Sequence, residues 1–120
     1  MIYGDGGQTR DYTYIEDLIE AYDLILRHPK PLNEPLNIGS GNEIKIIDLA
    51  NKIIELCGKK GEVEPVHVEP RPGEVRRLRA DSSKARALLK WEPRHSLEEG
   101  LRKFIEWYRR YRFEEWEKPG

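Results

Sequence analysis

Cysteine occurs once in the 120 residues, at Cys57, so no internal disulfide can form. A reducing cytoplasm suits such a chain. Long hydrophobic runs are missing too. None approaches the ~20 residues that span a bilayer, which excludes a transmembrane helix, and the sequence opens without a signal-peptide pattern. Excess charge of one sign is also absent. Lys and Arg number 21 against 22 Asp and Glu, for a net charge of -1, so no global field favours nucleic acid or an anionic membrane. Histidine is sparse, and His28, His67 and His95 stand far apart without a second ligand at metal spacing. No Ser or Cys sits in a recognisable nucleophile motif, and no carboxylate pair stands out as a tuned acid and base. At helical spacing, Cys57 is expected to be a small buried hydrophobe.

What remains is highly charged, 36% against 38% apolar, and long enough for one domain with a modest core. Apolar residues recur at Ile15, Leu18, Ile19, Tyr22, Ile25 and Leu26, which predicts a helix ended by His28-Pro29. Thr13 with Glu16 has the spacing of a capping box for it. Leu36–Ile38 predicts a short buried strand running into the Gly39-Ser40-Gly41 turn. That turn lacks the spacing of a dinucleotide fingerprint or a P-loop, so a plain strand-to-helix turn is favoured over a phosphate cradle. A second helix shows its face through Ile46, Leu49, Ala50, Ile53, Ile54 and Cys57, with Gly58 as its stop. Val63 to Val68 alternates as an edge strand, because Pro65 cannot donate to a ladder.

Glu69 to Glu74 is a rigid loop in which two prolines flank Arg71. Val75 to Ala80 predicts an extended segment with three exposed arginines. Asp81 is placed to cap a helix over Ser82 to Lys90, and Trp91 to plug the core. Ser96-Leu97-Glu98-Glu99 is a capping box for a last helix marked by Leu97, Leu101, Phe104, Ile105, Tyr108 and Tyr111. The tail from Phe113 to Gly120, with Trp116 in it, is expected to fray.

The stretch Gly4 to Asp17 runs from a glycine-rich turn through a short aromatic segment into an acidic helix start. On spacing alone it is a surface hairpin with a solvated Arg10, or a loop–strand junction that presents Arg10 to a ligand. Its pattern Gly-Asp-Gly-x-Gln-x-Arg-Asp-Tyr-x-Tyr-Ile-x-Asp resembles the NAD-dependent nucleotide-sugar epimerases and dehydratases, extended short-chain dehydrogenases that include UDP-glucose 4-epimerase. Asn37-Ile38-Gly39-Ser40-Gly41, Arg71-Pro72-Gly73-Glu74, Ala80 to Lys84, Leu88 to Pro93 and Ser96 to Leu101 follow in the family's order. Together these anchors cover Gly4 to Tyr108.

The resemblance implies an α/β fold, mixed α+β. It would be a small domain of about four helices with a few short strands, lacking the Rossmann cofactor domain. The expected boundaries are residues 1–112 for a carboxyl-terminal substrate-binding domain and 113–120 for the charged tail. It implies that Arg10 and Arg71 grip the diphosphate of a UDP-sugar, since guanidinium groups bind phosphate oxygens in bidentate fashion. By the same resemblance Glu74 accepts the ribose hydroxyls, Tyr12 packs near the phosphates, and Ile46 lies beside the base. Arg71 pairing with Glu69 or Glu74, Tyr12 as strand filling, and Ile46 as core are the structural alternatives.

Three positions depart from the family's pattern. Lys45 stands where a small hydroxyl residue usually begins the helix, Lys90 replaces a usual glycine, and Leu78 replaces a frequent aromatic. The larger departure is chemical. The family's hydride chemistry needs NAD on a Gly-rich loop and a Tyr-x-x-x-Lys pair, and none of Tyr3, Tyr12, Tyr14, Tyr22, Tyr108 or Tyr111 has Lys four residues on. The expectation is therefore a UDP-sugar-binding portion with no cofactor and no catalytic residue of its own, inactive without an NAD-binding domain. Faces that pack on that domain in the family are then expected to be buried by self-association or rearrangement. A stand-alone protein-interaction module that keeps the scaffold is the second reading. A nucleic-acid binder using Arg76, Arg77, Arg79 and the Arg109–Arg112 region is the third, disfavoured by the near-neutral charge.

Overall fold

A computed structural model describes residues 1–30 and 32–111. The expected frayed tail, Phe113 to Gly120, lies outside the described residues. Among the described residues there are four helices and four short strands. They are β1 (Ile2–Tyr3), β2 (Thr9–Asp11), α1 (Ile15–Arg27), β3 (Glu43–Lys45), α2 (Ile46–Leu56), β4 (His67–Val68), α3 (Ser83–Leu89) and α4 (Leu97–Arg110). The fold is mixed α/β, as the resemblance implies.

The strands form two ribbons. β1 pairs in parallel with β4, placing Ile2 against His67, and β2 pairs antiparallel with β3, placing Arg10 against Ile44. A bridge from Thr9 to Arg77 lays the 76–78 segment along the free side of β2, with Thr9 N donating to Arg76 O at 2.9 Å. Only His67–Val68 of the expected Val63–Val68 strand forms, as β4; Pro65 lies outside it.

Two expected features are replaced. Leu36–Ile38 forms no strand; Leu36 and Ile38 instead pack against the core from an irregular segment. A strand needs a paired neighbour, and none lies beside this segment among the described residues. The strand in this region is β3, which runs straight into α2 with Lys45 as the N-cap. Nor does the Thr13–Glu16 capping box form. Tyr14 is the N-cap of α1, and Thr13 Oγ1 accepts the Ser40 amide at 2.9 Å instead.

The core gathers Ala21 of α1, Ala85 and Leu89 of α3, and Trp91 just beyond. Trp91 is almost fully buried, and its Nε1 donates to the Asp17 carbonyl at 2.9 Å. Burying an indole of ~150–250 Å² is worth about 4–6 kcal/mol of transfer free energy at most. α3 ends at Lys90 in the left-handed conformation, φ 56°. That explains why glycine is usual there. At the start of α3 the N-cap is Ser82, and Asp81 accepts the Ser83 amide at 2.9 Å. α4 opens on the expected capping box between Ser96 and Glu99.

α1 carries two apolar faces rather than one. Ala21, Leu24 and Ile25 face the core. Ile15, Ile19, Tyr22 and Leu26 line the other side and are all more than half exposed. Their spacing of 4, 3 and 4 residues is a continuous helical stripe.

Candidate functional site

Arg10 lies in the middle of β2. Its Nη1 donates to the Thr9 and Val75 carbonyls, both at 2.8 Å, and its Nη2 meets Glu74 Oε1 at 2.6 Å. The two carbonyls come from β2 itself and from the extended segment laid beside it, so the sheet-like pairing at Thr9 fixes the guanidinium. Glu74 arrives from the rigid loop, whose turn is closed by Glu74 N donating to Arg71 O at 3.3 Å and by Gly73 at φ 75°. That positive φ is what a glycine supplies.

Arg71, in the same turn, sits over the Tyr3 ring, its Cζ 3.7 Å from the centroid. The hydrogen bond to Tyr3 is the main cause that holds the Arg71 pKa above its ordinary value; desolvation opposes it, and the charge of Glu74 adds the smallest contribution. Glu74 thus stands in electrostatic reach of both arginines. Residues 10, 71 and 74 form one corner, built where β1, β2 and the 69–78 segment converge. Ile46 is close to it: the Ile46 amide donates to the Gln8 carbonyl at 3.0 Å, two residues before Arg10. Ile46 is half-buried.

Tyr12 goes elsewhere. It lines an apolar groove of about 470 Å³ with Ile44 of β3, Leu49 and Ile53 of α2, and Leu101 and Phe104 of α4. Arg10, Arg71 and Glu74 take no part in lining that groove.

The three further arginines of the extended segment are exposed but engaged. Arg76 grips Asp5 with Nη1 and Nη2, at 2.8 and 3.0 Å. Arg77 grips Glu43 with Nε and Nη2. Arg79 Nε donates to the Gly41 carbonyl at 2.6 Å. The forks pull both acids down to about 2. Asp5 is held mainly by Arg76, and Glu43 by Arg77 and the Thr9 hydroxyl.

Two carboxylates that shape this region escaped the sequence reading. Asp11 accepts from Ser40 Oγ at 2.5 Å, Gly41 N at 2.8 Å and Ala80 N at 3.0 Å. Asp17, almost fully buried, accepts from Arg94 N, His95 N and His95 Nδ1 at 3.1, 3.2 and 2.8 Å. Burial pushes the Asp17 carboxyl up, but these hydrogen bonds together hold it below its ordinary range. Both residues stand in the motif that opens the chain. Their partners lie 29 to 78 positions away, so spacing carried no signal.

Comparison with known proteins agrees with this architecture. The family model described as GDP-mannose 4,6 dehydratase matches residues 1–104. A trifunctional UDP-glucose 4,6-dehydratase/3,5-epimerase/reductase of Arabidopsis thaliana is 41% identical over 107 residues, covering 89% of this chain and 16% of its own. The crystal structure of UDP-glucose 4-epimerase with UDP-glucose from Thermotoga maritima superposes with a TM-score of 0.82 at 38% identity, covering 91% of this chain and 34% of that one. UDP-glucuronic acid 4-epimerase from Bacillus cereus, in complex with UDP-glucuronic acid and NAD, gives 0.82 at 34% identity, with the same coverage. The chain therefore spans about a sixth to a third of the length of these relatives. The match over 104 of 120 residues places this chain in the GDP-mannose 4,6 dehydratase family, among the NAD-dependent nucleotide-sugar epimerases and dehydratases.

Proposed function

We propose that this chain is the part of a UDP-glucose 4-epimerase-like enzyme that holds the nucleotide half of a UDP-sugar. The observation that carries this reading is the corner in which Glu74 bonds Arg10 and follows Arg71 in the same turn. Two permanently charged guanidiniums match the two negative charges of a diphosphate diester. Glu74 supplies an acceptor for hydroxyls next to them, and Ile46 an apolar neighbour at Gln8. The role of Tyr12 is through the adjoining apolar groove rather than through the arginine corner. The 120 residues hold neither the Gly-rich cofactor loop nor a Tyr-x-x-x-Lys pair, so hydride transfer from NAD requires residues beyond them. Alone, this chain is a binder without turnover.

Titration with UDP, followed by amide NMR shifts, tests the proposal. Binding is expected to be weak. Arg10→Ala and Arg71→Ala should each weaken it about tenfold, the worth of one hydrogen bond to a charged group. Shifts should cluster at 8–12 and 71–78. Saturable UDP binding that is indifferent to both substitutions refutes the corner as its seat. Indifference of the unsubstituted chain to every nucleotide, with a tight protein partner, favours the interaction-module alternative.

The exposed stripe Ile15, Ile19, Tyr22 and Leu26 supports a further part of the reading. This face is covered in the assembled protein, and in the isolated chain it is covered by a second copy.

A further inference from the structure

We propose that Glu74 is a self-ligand: its carboxylate occupies the anion seat on Arg10 in the empty protein and turns away when a diphosphate arrives. The inference rests on the reading that Arg10 faces a diphosphate. Its support is the difference between the arginine–carboxylate pairs of this region.

Arg76 and Arg77 each grip one acid with two nitrogens. Arg10 touches Glu74 through a single bond, Nη2 to Oε1 at 2.6 Å. Its other ties are not to a carboxylate. Nη1 is held by the Thr9 and Val75 carbonyls at 2.8 Å each. If Glu74 leaves, those two carbonyls keep the guanidinium aimed at the same place. The seat is therefore fixed and its occupant is not.

Both side chains are partly open to water, 22% for Arg10 and 28% for Glu74, so solvent can receive the carboxylate when it leaves. Glu74 follows Gly73, whose missing Cβ would meet no atom within 4 Å other than those of its own chain neighbours, so the turn itself is open. Arg71 is held over Tyr3, 3.7 Å from the ring centroid, by a contact in which Glu74 takes no part. In the empty state the corner carries two positive charges and one negative. When the carboxylate turns toward a ribose, both guanidiniums face the phosphates. A nucleotide therefore gains twice from the same motion, and a diphosphate without a ribose gains only once. That makes Glu74 a discriminator between nucleoside diphosphates and simple anions.

The test compares inorganic pyrophosphate with UDP on the 120-residue chain, using Glu74→Gln, Glu69→Gln as a charge control on the same loop, and the Arg10→Ala/Glu74→Gln pair. Glu74→Gln is expected to bind pyrophosphate about three- to tenfold more tightly than the unsubstituted chain, because a neutral amide competes poorly for a guanidinium. UDP should gain less, so the preference for UDP over pyrophosphate narrows. Glu69→Gln should leave both unchanged, and the gain should vanish when Arg10 is removed. If UDP binds but Glu74→Gln leaves pyrophosphate no tighter, the self-ligand is overturned and the UDP-sugar reading stands. A gain that persists without Arg10, or appears equally in Glu69→Gln, also overturns it, as a bulk charge effect. If neither anion binds any of the four proteins, both proposals fall.

Discussion

Removing the Asp17 carboxylate should cost this fold more than any other single polar change. In Asp17→Ala the two amides of Arg94 and His95 and the His95 Nδ1 lose their acceptor, at original distances of 3.1, 3.2 and 2.8 Å. Each orphaned donor is worth about 1–3 kcal/mol, and the ring-to-carboxylate bond sits at the upper end. The sum is reduced because His95 is 20% exposed and water can reach it. A loss of about 3–5 kcal/mol results, in line with leaving several buried donors without their carboxylate acceptor. For a domain of this size that lowers Tm by about 10–20 °C. Asp17→Asn keeps the shape and one acceptor oxygen but turns an NH2 toward a donor, and should cost about 2 kcal/mol. Urea denaturation followed by far-UV circular dichroism measures both. A double-mutant cycle with His95→Ala should return about 1–2 kcal/mol of coupling. A loss below about 1 kcal/mol for Asp17→Ala would refute the view that this carboxylate ties α1 to the start of α4.

Acid should attack the same knot. The Asp17 carboxyl lies below its ordinary range in the folded chain, so its contribution is complete above the unfolded pKa and is lost as pH falls through the folded one. The urea midpoint should stay level from neutrality down to about pH 5 and drop below about pH 4, more gently in Asp17→Asn; an acid limb unchanged by that substitution would contradict the assignment. Lys90→Gly should stabilise the fold by about 1 kcal/mol, because Lys90 holds φ 56° at the end of α3; a loss of stability would show that its side chain matters more than its backbone. Ile19→Lys with Tyr22→Lys should abolish self-association in sedimentation velocity while shifting stability by about 0.5 kcal/mol or less, and a monomeric parent chain would remove that part of the proposal.

Much of this was legible where one element speaks for itself. The periods of α1, α2 and α4, the Ser96 capping box, the Gly58 stop and the buried Trp91 all follow from residues within a few positions of each other. The strands were harder. β1 and β4 are two residues each and pair across 65 positions, too short to show a period. Leu36–Ile38 has the composition of a strand, but among the described residues no neighbour pairs with it. Thr13 had the spacing of a cap, but a donor 27 residues away claimed it. For the corner, sequence named the arginines and Glu74 by resemblance. It did not show that Glu74 would reach Arg10, 64 positions earlier, because that contact depends on the Thr9–Arg77 bridge. The two faces of α1 were merged for a similar reason. Periodicity marks apolar positions, but it does not say which of them a given neighbour covers.

Trp91 gives the molecule a built-in optical gauge. Its indole is enclosed between α1 and α3 and hydrogen-bonded to a main-chain carbonyl, whereas Trp107 on α4 is nearly half exposed. The two therefore emit from different surroundings. The Trp91 N–H should exchange with solvent only when the α1–α3 contact opens. One indole proton thus times the breathing of the core without any label.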